Sequence, residues 1–348
     1  MIVGITGTNG SGKGMIVDFL KERGFKHYSA RALLAETLGA RNLEVTRENL
    51  INIANELRGQ QGAEYVAKTL FERAQEEGGN IVIESLRVPA EAKYLEGQKD
   101  FYFIGVDAIP ELRYQRISER QSTTDRISFE EFMRLEQQEM FSSDPLKQNL
   151  AGCTSFADYL VQNNGGLDEL LKDFEKGKKG FMNLFGEGRR PDREELWMRR
   201  AYDIGHMTRC LRREVGAIFV RDDIAISEGY NGPPRGSPHC KDLGGCVRAK
   251  RNVPSGERQE LCRGGHAESN GVANAAFNGI SLKGATCYVT TFPCVTCTKI
   301  LINAGVTTIV YNSSYNDELS AEMIEESPRI DAVKFSGVTP RGYVKFWR

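Results

Sequence analysis

One His and two Cys constrain this chain more than anything else in it. Residues 265–270 read Gly-His-Ala-Glu-Ser-Asn and residues 290–297 read Thr-Thr-Phe-Pro-Cys-Val-Thr-Cys. His266 opens a helical run, HAESNGVANAAFNG, and Cys294 opens another, CVTCTKILINAG, with the apolar strand ATCYVTT between them. Cys294 and Cys297 lie three residues apart at a helix start, so both sulfurs project from one face. Zn2+ prefers N and S donors, and a catalytic site takes three from protein and leaves one position for water. The spacing therefore predicts a helix–strand–helix unit folded so that both helix starts meet at one metal. The helix N-terminus favours the thiolate form of Cys294. Glu268, two residues past His266, is placed to take a proton from water held there and pass it on.

Length and charge bound the rest. At 348 residues the chain is long for one core, and two domains are expected. Lys+Arg (46) nearly cancels Asp+Glu (47), so no basic field advertises long nucleic acid or an anionic membrane. No apolar run approaches the ~20 residues that span a bilayer. The opening MIVGITGTNGSGKG reads as a strand and a glycine loop, not a signal peptide. Ligand-like Cys spacings in the second half favour reduced, metal-binding thiols over disulfides, which implies a cytoplasmic protein.

Up to about Lys176, apolar strands (MIVGIT, NIVIES, FYFIGVD) alternate with amphipathic helices, the pattern of a parallel sheet. Residues 177–193 are rich in Gly, Lys and Arg and read as a linker. A second α/β pattern starts at Glu194, with a helix to about Arg212 and strands VGAIFV and IAISEGY. The expected division is 1–176, a linker over 177–193, and 194–348.

Gly7 to Gly14, GTNGSGKG, joins a strand to a helix and fits the phosphate-binding pattern G-x-x-x-x-G-K. Gly7, Asn9, Gly10, Gly12 and Gly14 would let backbone N–H groups face phosphate, and Lys13 adds a charge. Gly14 stands where a Ser/Thr hydroxyl usually holds Mg2+. Glu84 is expected at a strand end beside the loop, where it could hold metal-bound water. Arg113, Arg116, Arg120 and Arg126 are arranged like a kinase lid or, equally, a solvated helix face. Residues 1–175 resemble dephospho-coenzyme A kinase and adenylate-kinase-like proteins. That implies a P-loop kinase-like parallel sheet with flanking helices, binding a nucleoside triphosphate with Mg2+. The domain is read as a nucleotide-sensing regulator, with a catalytic nucleotide kinase as the rival.

H-x-E followed by P-C-x-x-C is the signature of zinc-dependent nucleobase deaminases. With CLRREVGAIFV, GYNGPPRG, and ATCYVTTFPCVTCTKILINAGVTTIVY, residues 194–315 resemble the deoxycytidylate (dCMP) deaminase family. The resemblance implies a three-layer α/β/α domain, catalytic zinc on His266, Cys294 and Cys297, and Glu268 as proton shuttle. Water would attack C4 of cytosine, Glu268 would protonate N3, and ammonia would leave to give dUMP. Asn231, Arg235, Thr290 and Tyr315 are expected to meet the nucleotide. Ser269 and Gly271 depart from the family's HAEQNAI, which touches helix packing. A second, closed zinc is expected on Cys240, Cys246 and Cys262, supported by the resemblance, with His239 as fourth ligand. Cys153, Cys210 and Cys287 read as core, and His27 and His206 as structural. The resemblance also implies regulation by dCTP and dTTP, and a homo-oligomer, commonly a hexamer. Three other readings stay open: a dCTP-consuming deaminase, an editor of polynucleotides, and a nucleotide-binding regulator (ATP or a deoxynucleotide in the loop) built on a deaminase scaffold. Near-zero charge disfavours the second, and the intact Glu268 the third.

Overall fold

The structure, a computed structural model, describes residues 1–119, 127–142, 144–166, 170, 171, 174, 181–185, 190–253, 257–315 and 317–346. Contacts divide the chain into Met1–Arg190 with Ser336–Arg348, and Pro191–Phe335. Arg120 and Arg126 lie outside the described residues.

In the first unit, strands β1 (Ile2–Gly7), β2 (Lys26–Ser29), β3 (Ile81–Glu84), β4 (Phe101–Asp107) and β5 (Tyr159–Gln162) pair in parallel in the order β5-β4-β1-β3-β2. Every residue of β1 is buried, as a strand covered on both faces requires. Around the sheet run α1 (Lys13–Lys21), α2 (Ala30–Ala40), α3 (Arg47–Gln61), α4 (Tyr65–Glu77), α5 (Pro89–Glu96), α6 (Pro110–Glu119), α7 (Phe129–Met140) and α8 (Leu150–Thr154). Strand β2 has no apolar run in KHYS because it forms the exposed sheet edge.

The second unit contains α9 (Arg193–Gly205), β6 (Gly216–Arg221), β7 (Ile224–Tyr230), α10 (Val247–Lys250), α11 (Ala267–Phe277), β8 (Thr286–Thr291), α12 (Val295–Asn303), β9 (Thr308–Ser313), α13 (Glu318–Glu325) and β10 (Asp331–Lys334). Its sheet runs β10-β9-β8-β6-β7, with β8, β9 and β10 parallel and β6 antiparallel to both neighbours. Alternation along β6 builds the layers. Ala217 and Phe219 join the core with Ala267 of α11 and Leu301 of α12, while α9 packs on the sheet through buried Met198 and Ala201. Gly229 of β7 lets α11 approach closely: a Cβ there would lie 2.3 Å from both Ala267 O and Gly271 N.

Three boundaries differ from the sequence reading. Helix α9 starts at a capping box, Asp192 with Glu195, but ends at Gly205 rather than near Arg212. Gly205 lies against Gly216, where a Cβ on Gly216 would meet Gly205 N at 2.6 Å, and residues 206–215 form the loop that leads to β6. The linker reading fails at Phe181, which is fully buried and stacks on Phe174 at 5.2 Å between ring centres, within the first unit's core. The C-terminal boundary of 194–348 is corrected as well. Beyond Phe335 the chain returns to the first unit, where β11 (Gly337–Val338) pairs antiparallel with β5 and α14 (Pro340–Phe346) follows. Lys345 donates to buried Asp158 at 2.6 Å, and Phe346 stacks on Tyr102. The terminal residues completed an existing sheet edge, which their own periodicity could not reveal.

Candidate active site

Parallel pairing of β8 and β9 sends their C-terminal ends to one side of the sheet, where α12 begins. His266 is the N-cap residue of α11 and Cys294 that of α12, both in extended backbone. Asn270 staples the first of these helix starts: its Nδ2 donates to Tyr230 O at 2.8 Å, while Gly265 and Gly232 exchange backbone hydrogen bonds of 2.8 and 3.1 Å. His266 Nδ1 then lies 3.3 Å from Cys294 Sγ and 3.4 Å from Cys297 Sγ, and the donor atoms all lie within 4.8 Å of one another. With Zn–N and Zn–S bonds of about 2.0–2.3 Å, the N···S edge of a tetrahedron is about 3.5 Å. Donor chemistry and spacing both fit zinc, with Nδ1 as the nitrogen facing it.

Electrostatics separate the donors. Cys294 is held well below the ordinary thiol range by hydrogen bonds from Cys297 and His266, and Cys297 is raised by the same contact with Cys294. The hydrogen bond to Cys294 raises His266. Glu268 is buried, which pushes its carboxyl upward. A carboxyl raised toward neutrality beside the donor set is what proton transfer needs.

The cavity over this set is lined by His266, Glu268, Cys294, Asn231, Thr291 and Tyr315, and by Arg209, Arg212, Arg213 and Arg248. Asn231 reaches the cavity, but its amide is committed to backbone: Oδ1 accepts from Val215 N at 2.9 Å and Nδ2 donates to Arg213 O at 3.0 Å. It therefore holds the arginine loop. Tyr315 stands under Arg213, whose guanidinium lies 5.2 Å from the ring centre. Two expected contacts are corrected. Thr290 faces away into the sheet, buried, with its hydroxyl accepting from Gly216 N at 3.3 Å, and Thr291 lines the cavity instead. Strand alternation makes that a one-residue matter. Arg235 does not line the cavity; it lies over exposed Phe277 and donates to Asn274 at 2.7 Å. The arginine lining was missed because α9 was extended to Arg212, although CLRREVG carried the signal.

Cys240, Cys246, Cys262 and His239 border the same cavity, as does Cys210, which is half-buried and not a core residue as read. The Cys240 thiol is raised by burial and then by Cys246, Cys262 and Cys210. Among the described residues, only His266, Cys294 and Cys297 form a close donor cluster. All eight cysteines are free thiols, and Cys153 and Cys287 are buried as expected.

The first unit has its own site. Gly10 and Gly12 adopt φ of 77° and 95°, open to glycine and strained for other residues. Lys13 Nζ folds onto the loop, donating to Gly7 O at 3.0 Å and Thr8 O at 2.5 Å. Asn9, Gly10, Gly12, Lys13 and Gly14 border a cavity of about 480 Å3 with Glu84, Arg31 and Arg87. Glu84 sits at the end of β3 as expected, paired with His27 at 3.3 Å, so His27 gains a partner beside the loop. The lid arginines that are described do other work. Arg113 is buried against Ala108 O and Glu136, and Arg116 donates to Asn163 O and Gly165 O. His206 pairs with Glu214. Among the described residues no helix is long and apolar enough to cross a membrane.

The class that this fold and donor set define is that of the cytidine and deoxycytidylate deaminase zinc-binding region, whose profile matches residues 191–313. An AAA-domain profile matches residues 3–141. Deoxycytidylate deaminase of Schizosaccharomyces pombe is 28% identical over 328 residues, 93% of this chain and 94% of that protein. Deoxycytidylate deaminase of Mycobacterium phage D29 is 33% identical over 126 residues, 35% of this chain and 95% of that protein. A UPF0200 protein of Thermococcus kodakarensis is 31% identical over 182 residues, 51% of this chain and 95% of that protein. The chain belongs to the deoxycytidylate deaminase family.

Proposed function

We propose that this chain hydrolyses dCMP to dUMP and ammonia, supplying dUMP for thymidylate synthesis. The observation that carries the reading is the convergence of His266, Cys294 and Cys297 within 4.8 Å, with the carboxyl of Glu268 buried beside them. Zn2+ bound by the three donors supplies the Lewis acidity that makes water a nucleophile near neutral pH. Glu268 takes a proton from the attacking water and delivers it to N3 of cytosine as the water oxygen bonds C4; it then passes the remaining hydroxyl proton to the amine, and the C4–N bond breaks to release ammonia. Burial of Glu268 keeps bulk water from competing for the proton. Asn231 fixes the loop carrying Arg212 and Arg213. Arg212 Nη1 is buried without a protein hydrogen bond, and with Arg213 and Arg248 it favours an anionic nucleotide over a nucleoside. Ammonia release from dCMP, dCTP and cytidine tests this. Turnover of dCMP well above the others is expected, and preferential turnover of dCTP would favour a nucleotide-depleting enzyme.

In this reading the first unit binds a nucleoside triphosphate with Mg2+ at the loop bearing Lys13 and regulates the deaminase, with dCTP, dTTP and ATP as candidate effectors. A changed rate of ammonia release on adding them is expected. Phosphoryl transfer to nucleoside monophosphates well above background would instead make the unit a kinase. The chain acts as a homo-oligomer, a hexamer by family resemblance, which light scattering tests. Eight free thiols suit a reducing cytoplasm. A second, structural zinc on Cys240, Cys246 and Cys262 is supported by their common cavity wall, with His239 or Cys210 completing it. One zinc per chain with those thiols freely titratable would remove it.

A further inference from the structure

The two sulfurs of the zinc site sit on the opening turn of α12, Cys294 as its N-cap and Cys297 within the helix. That turn is held from outside by the start of α13. Asp317 caps α13, its Oδ1 accepting from Ser320 N at 3.1 Å. Its other oxygen does something the cap does not require: Oδ2 accepts from Val295 N, 22 residues away, at 2.9 Å. Ser320 Oγ donates to Pro293 O at 2.9 Å and shares a 2.7 Å hydrogen bond with Thr298 Oγ1. Both hydroxyls are fully buried, so water does not substitute for either partner. The groups gripped are Pro293 O, Val295 N and the Thr298 side chain. They immediately precede, separate and follow Cys294 and Cys297. Asp317 also lies two residues beyond Tyr315, which lines the substrate cavity.

We propose that Asp317 and Ser320 are positioning residues for the metal site. They set the separation of the two sulfurs before metal arrives, and they tie that setting to the segment presenting Tyr315. Neither is a metal ligand, since both are committed to the turn. The inference rests on the reading of His266, Cys294 and Cys297 as a zinc site. Partners that orient ligands from outside typically change metal affinity 10–100-fold when removed.

The test uses the full chain loaded with Co2+, whose visible spectrum reports sulfur coordination, and competition with a chromogenic chelator. Asp317→Ala and Ser320→Ala are each expected to weaken metal affinity by about 10–100-fold and to change the Co2+ spectrum. Asp317→Asn retains one acceptor oxygen and should fall between parent and Asp317→Ala. With Zn2+ restored to saturation, Asp317→Ala should also raise KM for dCMP through Tyr315. Should Asp317→Ala not fold, Asp317→Asn and Ser320→Ala still decide. Variants that melt earlier yet match the parent in chelator competition and spectrum would overturn the proposal, leaving Asp317 an ordinary helix cap. A parent chain that takes up no Co2+, or gives no sulfur-coordinated spectrum, would refute the zinc reading itself.

Discussion

At Gly271, one of the two positions read above as departing from the family pattern, the absence of a side chain has a steric cause. This glycine lies in the middle of α11, the helix that presents His266 and Glu268. A Cβ built there would sit 2.3 Å from Cε2 and 3.1 Å from Cδ2 of Phe219, a fully buried ring on β6. Replacing glycine by alanine inside a helix normally stabilises by about 1 kcal/mol. Overpacking a well-filled core costs about 1–3 kcal/mol. The two oppose each other, and Gly271→Ala should come out about 1 kcal/mol destabilising, a fall of about 2–4 °C in Tm for a unit of this size. Phe219→Leu alone leaves a cavity and should cost about 1–2 kcal/mol. In the double variant the added methyl enters that space, so its stability should match or exceed that of Phe219→Leu, with a coupling of about 1–3 kcal/mol. Thermal and urea denaturation of the four proteins measure the cycle. A Gly271→Ala chain more stable than the parent, or a cycle with no coupling, would refute the steric account.

Other outcomes are equally definite. Glu268→Gln should keep its zinc, by metal analysis, while ammonia release from dCMP falls by about 10²–10⁴-fold; retained turnover would remove Glu268 from its role. Chelation should abolish ammonia release, and added Zn2+ should restore it. Burial pushes the Glu84 carboxyl up, but the hydrogen bond and charge of His27, with Lys13, outweigh burial and hold it below its ordinary range. Its stabilising contribution is therefore full above the unfolded value near 4.3 and lost as pH falls through the lower folded value. His27→Gln should move that acid limb upward in melts recorded between about pH 3 and 6.

What could be read from the sequence was what depends on short spacing. His266, Glu268, Cys294 and Cys297 are fixed by their positions at two helix starts, and the strand between them leaves few ways to connect those starts. The phosphate-type loop is legible for the same reason, because its glycines and Lys13 act within eight residues. What failed depends on contacts distant in sequence. No local signal says that α9 stops at Gly205, because the stop comes from packing against Gly216. Thr290 and Thr291 are chemically alike, and only the pairing of β8 with β6 decides which one faces the cavity. Arg235 carried a plausible charge but lies over Phe277 rather than along the cavity.

The return of the chain at Ser336 orders events during synthesis. Asp158 is made early, and its cationic partner Lys345 emerges 187 residues later. At ordinary translation rates that is a delay of roughly 10–40 s, during which the whole metal-binding half is made. The first unit is thus completed only after the second is made, and until then its outer β5 edge and the Asp158 carboxylate stand open to proteases and chaperones. A frameshift ahead of Ser336 would leave that edge without β11 and Asp158 without Lys345.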